Sequence, residues 1–188
     1  MNLRLACVIA VACAVSISAC DNPTSQPSST TAGPGSEVAP VPSVSVDADF
    51  VRDAGTAGLF EIQSSQIALQ KSTNTDLTSF AQMMIDDHTK AANELKALVE
   101  GGSIQGVTAL PSAPDSDQRR KLEELQAASG TDFDSKYHSM QLEAHQAAVS
   151  LFRSEAKVGV SASLKTWAGQ TLPTLESHLA RIQKITVQ

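Results

Sequence analysis

At 188 residues the chain has room for one folded domain, and a net charge of −6 with only 14 Lys and Arg excludes the clustered basic surface that nucleic-acid binding needs. Aromatic residues make up 4 % of the sequence, which disfavours a β-sandwich, while plentiful Ala, Leu, Ser and Gln favour packed helices. Cys7 and Cys13 fall inside an apolar leader and leave Cys20 as the last thiol, so a mature domain has neither a disulfide framework nor a thiolate metal site.

In chain order, Met1 to Arg4 carries one positive charge, Leu5 to Ile17 is apolar, and Ser18-Ala19 are small residues before Cys20. This is the order of a secretory signal peptide, here residues 1–19, and the apolar run is shorter than the roughly 20 residues a membrane-spanning helix requires. The tetrad Ile17-Ser18-Ala19-Cys20 resembles the bacterial lipobox. That resemblance implies acylation of Cys20, with palmitate or a similar chain, and a bacterial cell-envelope location facing the periplasm. The partner it implies is the lipid bilayer, because two or three acyl chains anchor a protein stably. Residues 20–47 are rich in Pro, Ser and Thr with almost no charge and no helical period, which predicts a disordered tether spanning roughly 30 Å as a flexible coil.

The domain is then expected over 48–188. Phe50, Ala54, Ala57, Glu61, Ser64 and Ala68 repeat at three and four and define a first helix, with Asp47 or Asp49 as its cap. Leu77, Phe80, Met84, His88, Ala91, Leu95 and Leu98 define a second, capped by Asn74 or Thr75 and stopped by Gly101-Gly102. A connector with Pro111 and Pro114 follows, then a short amphipathic piece over Arg119 to Ala128. A third long helix starts at Thr131 or Asp132 and carries Phe133, Tyr137, Met140, Ala144, Ala147 and Leu151, with His145 on the adjoining stripe. The fourth runs from Ser161 or Ser163 through Leu164, Trp167, Leu175, His178, Ile182 and Ile185, and Pro173 inside it should bend it at Gly169. Two tight hairpins joined by a long connector form the pattern of an all-α, ferritin-like four-helix bundle with a crossover between its second and third helices.

One chemically distinctive residue falls on each long helix: Glu61, His88, His145 and His178. A buried carboxylate or imidazole is costly unless it has a partner, so four of them on core stripes should meet. Counted from the 72–74 turn, Glu61 and His88 lie about 12 and 15 residues down their helices, an offset of about 4.5 Å. His145 and His178 lie about 15 and 18 residues from the other turn, and a connector returning to the first turn would bring all four into one layer. Such a group is either a hydrogen-bonded network that fixes helix register or a metal site. Three imidazoles and a carboxylate would suit one divalent transition metal, zinc, copper or iron, with Asp87 and Tyr137 as supporting partners. His138 reads as a half-exposed helix residue.

The segments Phe50 to Leu98 and Phe133 to Ile185, with Glu61, Gln66 and Ala68, Phe80-Ala81, Asp87-His88, Phe133-Asp134, Tyr137, His145, Leu172-Pro173 and His178, resemble the bacterial family called domain of unknown function 4142. The resemblance implies a ferritin-like fold in an exported protein and carries no activity with it. A diiron oxidase would need Glu-x-x-His pairs. Ile85, Leu142 and Leu175 stand three residues before His88, His145 and His178 instead. No Gly-x-Ser-x-Gly turn or Gly-rich phosphate loop is present, so no catalytic residue is assigned. Two function classes remain: a non-enzymatic envelope lipoprotein with a structural, stress-related or interaction role, whose partners would be other envelope proteins, or a metal-binding or redox module.

Overall fold

The structure is a computed structural model that describes residues 44–187. The signal peptide expected over 1–19, the lipidation site Cys20 and the tether as far as residue 43 lie outside the described residues. Those residues are all-helical, with α1 at Val44–Lys71, α2 at Thr75–Glu100, α3 at Ser116–Ala127, α4 at Gly130–Val158 and α5 at Ala162–Ile182, and no strand among them. No helix among them is long and apolar enough to cross a membrane.

Local chemistry sets the boundaries. Asn74 caps α2 by accepting from the backbone N–H groups of Asp76 and Leu77, and Gly101 closes that helix as expected. α3 starts three residues before the expected Arg119, because Asp115 and Gln118 form a reciprocal capping box. Gly130, at φ 57°, turns the corner between α3 and α4 in the left-handed region. Ser161 caps α5, which runs without interruption through Pro173 to Ile182.

Asp47 departs from expectation. α1 begins at Val44, so residues 44–47 of the expected tether are helical and Asp47 lies inside the first turn. Its carboxylate accepts from the backbone N–H of Val160 at 2.9 Å and of Ser161 at 2.8 Å. It therefore caps the link between α4 and α5, and its charge also suits the positive end of α1.

α1 packs on α2, α3 and α4, and α5 packs on α4 and α2. At one end of the domain the start of α1 meets the α4–α5 link, and Ser161 Oγ donates to the Ser103 carbonyl just after α2. At the other end Lys71 donates to the Gln126 carbonyl, and Asn74 Nδ2 donates to the Thr186 carbonyl. The core divides into two apolar groups. One contains Phe50, Leu95, Phe152, Leu164 and Trp167, with the Phe50 and Phe152 rings edge-on at 5.1 Å. The second contains Phe60, Leu77, Phe80, Phe133, Tyr137 and Ile182.

Glu155 is buried beside Asp47 at the first of these ends. Its carboxyl folds over Gly159, where a Cβ would fall 2.2 Å from Oε1, so the glycine is required for close approach. Burial first, and the neighbouring Asp47 second, push Glu155 up to about 7, against the opposing pull of Lys165. An acid whose pKa is raised from 4.5 by folding holds its proton in the folded chain after the unfolded chain has lost it. The contribution of Glu155 to stability should therefore fall as pH rises from 4.5 to about 7 and level off above that. Allowing for solvent at the helix end, the loss is about 1–2 kcal/mol, and Glu155→Gln should remove it from a urea-unfolding series. A pH profile unchanged by Glu155→Gln would show that this carboxyl is not the source.

Candidate metal centre

The boundary between the two core groups is polar. On each long helix one chemically distinctive side chain stands between residues of the first group and residues of the second: Glu61 on α1, His88 on α2, His145 on α4 and His178 on α5. All four are buried. The three imidazole rings have centroids 5.7 Å apart for His88 and His145, 5.6 Å for His88 and His178, and 5.4 Å for His145 and His178. One ring nitrogen from each lies within 4.8 Å of the others.

The outward nitrogens are already engaged. His178 Nε2 donates to Asp87 Oδ2 at 2.9 Å. His145 Nδ1 donates to the Gln141 carbonyl at 2.9 Å and lies 3.4 Å from Glu61 Oε1. His88 Nδ1 lies 3.0 Å from Glu61 Oε2. The remaining nitrogens, His88 Nε2, His145 Nε2 and His178 Nδ1, are buried without any hydrogen-bond partner. In a neutral imidazole one nitrogen donates and the other offers a lone pair. Fixing the partnered N–H therefore leaves one free lone pair on each of the three clustered rings.

Electrostatics agrees with neutral rings. Burial holds His88 well below its ordinary value and takes His145 down to about 4. Burial also lowers His178, against the opposing effect of Asp87. The same desolvation pushes Glu61 up to about 8.

Sequence-predicted residues are thus brought together, with roles that differ in three places. Glu61, expected among the ligands, lies beside the Nδ1 atoms of two rings, behind them relative to their unpartnered nitrogens. Asp87, expected to support His88, instead reaches across to His178, because adjacent residues on a helix face different directions. Tyr137 is buried one layer away, with its hydroxyl 2.9 Å from Ser65 Oγ. Burial raises its pKa, so it remains a neutral phenol. His138 is half-buried and donates through Nε2 to the Ile182 carbonyl, outside the cluster.

Gln141 is the residue that sequence reasoning missed. It is fully buried, and its Nε2 donates to Ser64 Oγ while its carbonyl orients His145. The signal was available: Gln141 stands four residues from both Tyr137 and His145, on their stripe rather than on that of His138.

Phe80 closes the cluster on one side, its ring edge-on to His145 at 5.9 Å. On another side a cavity of about 100 Å³ adjoins it, with Glu61, Asp87, His88 and His178 at one end and mainly apolar side chains, together with Thr171 and Thr174, elsewhere.

Three imidazoles with outer hydrogen-bond partners match a first-row transition-metal site in its donor set and in its support. Around a tetrahedral ion at about 2.0–2.1 Å, donor nitrogens stand about 3.4 Å apart. Ring rotations that move each tip by about an ångström would cover the difference between that value and the 4.8 Å within which the nitrogens lie.

No curated protein and no solved structure matches the chain. The family model described as "Domain of unknown function (DUF4142)" matches residues 33–185, and the chain belongs to that family.

Proposed function

We propose that this chain is a lipid-tethered protein of the bacterial envelope whose helical domain binds one divalent transition metal, zinc, copper or iron, through His88, His145 and His178. The observation that carries the metal reading is the set of three buried ring nitrogens without partners, each on a ring whose other nitrogen is held by a carboxylate or a carbonyl. Leaving such atoms unpaired costs about 1–3 kcal/mol each, and a cation shared by the three would offset that cost. A network whose only role is to fix helix register would be expected to satisfy them from within the protein. The Ser64–Gln141 and Ser65–Tyr137 hydrogen bonds serve the structural part of the reading.

Metal titration of the full-length chain purified in detergent tests this, with saturation expected at one equivalent. Retention of no zinc, copper or iron, or only non-stoichiometric retention, would leave the purely structural envelope module as the better account.

The architecture proposed for the domain is a ferritin-like four-helix bundle of α1, α2, α4 and α5. Contacts at the two ends support it: Ser103 follows α2 at one end, while Gln126 precedes α4 at the other, so the segment between them would cross the bundle. The tether reading rests on Ile17-Ser18-Ala19-Cys20. Cells fed a clickable fatty acid should label the wild-type chain and not Cys20→Ser, and equal labelling of both would refute acylation at this residue.

A further inference from the structure

We propose that the apolar cavity beside the histidine cluster is the binding pocket for a small uncharged molecule that ligates the metal at its open fourth position. This rests on the metal-binding reading above and adds to it the class of ligand. Three histidines supply three donors, and Glu61 stands behind two of the rings, so a tetrahedral ion would keep one position for an outside ligand.

The cavity shares His88 and His178 with the cluster, then extends away from it between α1, α2, α4 and α5 toward Phe152 and Trp167. Pro111 of the α2–α3 connector also lines it and presses on α1 at Gly55, where a Cβ would stand 2.8 Å from Pro111 Cδ. Gly55 thus lets the connector sit down as part of the wall.

Size and wall chemistry set the ligand. A dry apolar cavity of about 150 Å³ accommodates benzene, so a cavity of about 100 Å³ has room for a molecule of about four non-hydrogen atoms. No Lys or Arg lines it, and the acidic residues at its inner end are Glu61 and Asp87. An anion would be drawn to the ion itself, but it would lose its hydration against apolar walls that offer no cationic side chain, a cost that a neutral donor avoids. The occupant is therefore neutral, with one lone-pair donor and an apolar remainder.

Ethyl isocyanide, with four non-hydrogen atoms, is a probe of this class, and azide is the anionic comparison. The full-length chain in detergent, loaded with cobalt(II), reports ligation through its visible spectrum. Ethyl isocyanide should change that spectrum at a concentration at least tenfold below that needed for azide, and tert-butyl isocyanide should be at least tenfold weaker than the ethyl compound. Gly58 on α1 lines the cavity with open space at its Cβ position, and Ala91 on α2 lines it from a second helix. Gly58→Leu and Ala91→Leu should each hold cobalt at wild-type stoichiometry, and at least one should weaken ethyl isocyanide by tenfold or more. A cobalt-loaded chain that ignores ethyl isocyanide or prefers azide would overturn the pocket and leave the metal site standing. Unchanged isocyanide binding in both variants would do the same. Failure of the wild type to hold cobalt in the first place would remove both.

Discussion

Replacing His145 with alanine should weaken metal binding by at least about 100-fold, the upper end of what loss of an outer partner alone costs at such sites. His145 is the most enclosed of the three histidines, fully buried and surrounded by the rings of His88, His178 and Phe80. No other imidazole can swing in to replace it, because the fourth histidine, His138, is held by the Ile182 carbonyl outside the cluster. His138→Ala is accordingly the control and should bind metal as the wild type does. Glu61→Gln should fall between the two, about 10- to 100-fold weaker, since the amide is a poorer acceptor for the Nδ1 group of His88. Competition against a chromophoric chelator measures all three. Equal affinities for His145→Ala and His138→Ala would show that the cluster is not where metal binds.

Phe80→Ala should be the most damaging of the core truncations near the site, costing about 3–5 kcal/mol in urea or thermal unfolding. The ring is fully buried in the second apolar group and packs edge-on against His145, so its removal leaves a cavity directly beside the metal centre. The chain around it cannot easily collapse, because Leu77, Ala81 and Met84 on the same helix are themselves fully buried. A loss below about 1 kcal/mol would mean that this part of the core is looser than its burial indicates.

The sequence was informative where period and chemistry point the same way. The four long helices follow from apolar spacing, with Asn74 and Ser161 marking the starts of α2 and α5 and Gly101 the end of α2. The cluster itself was legible because a charged or imidazole side chain at a core position needs a partner, and one such residue appeared on each long helix. What spacing along a helix does not specify is the direction of each side chain across the interface. Glu61 was therefore expected as a ligand, yet it lies at the outward nitrogens of two rings. Asp87 was assigned to its sequence neighbour, yet it serves His178 on another helix. Gln141 is not marked by the sequence as a core residue because its hydrogen-bond partner, Ser64, is 77 positions away in the chain. The Asp47 and Glu155 pair escaped notice for the same reason: it joins the start of α1 to the end of α4, and only the assembled fold brings them together.

X-ray absorption at the zinc edge of the full-length chain loaded with one equivalent of zinc tests most directly whether three histidines hold one metal ion. The spectrum should show three imidazole nitrogens at about 2.0–2.1 Å and one further light donor. It should lose imidazole scattering in His88→Ala, His145→Ala and His178→Ala alike. A spectrum matching zinc in buffer, or one unchanged by all three substitutions, would contradict binding by the three histidines.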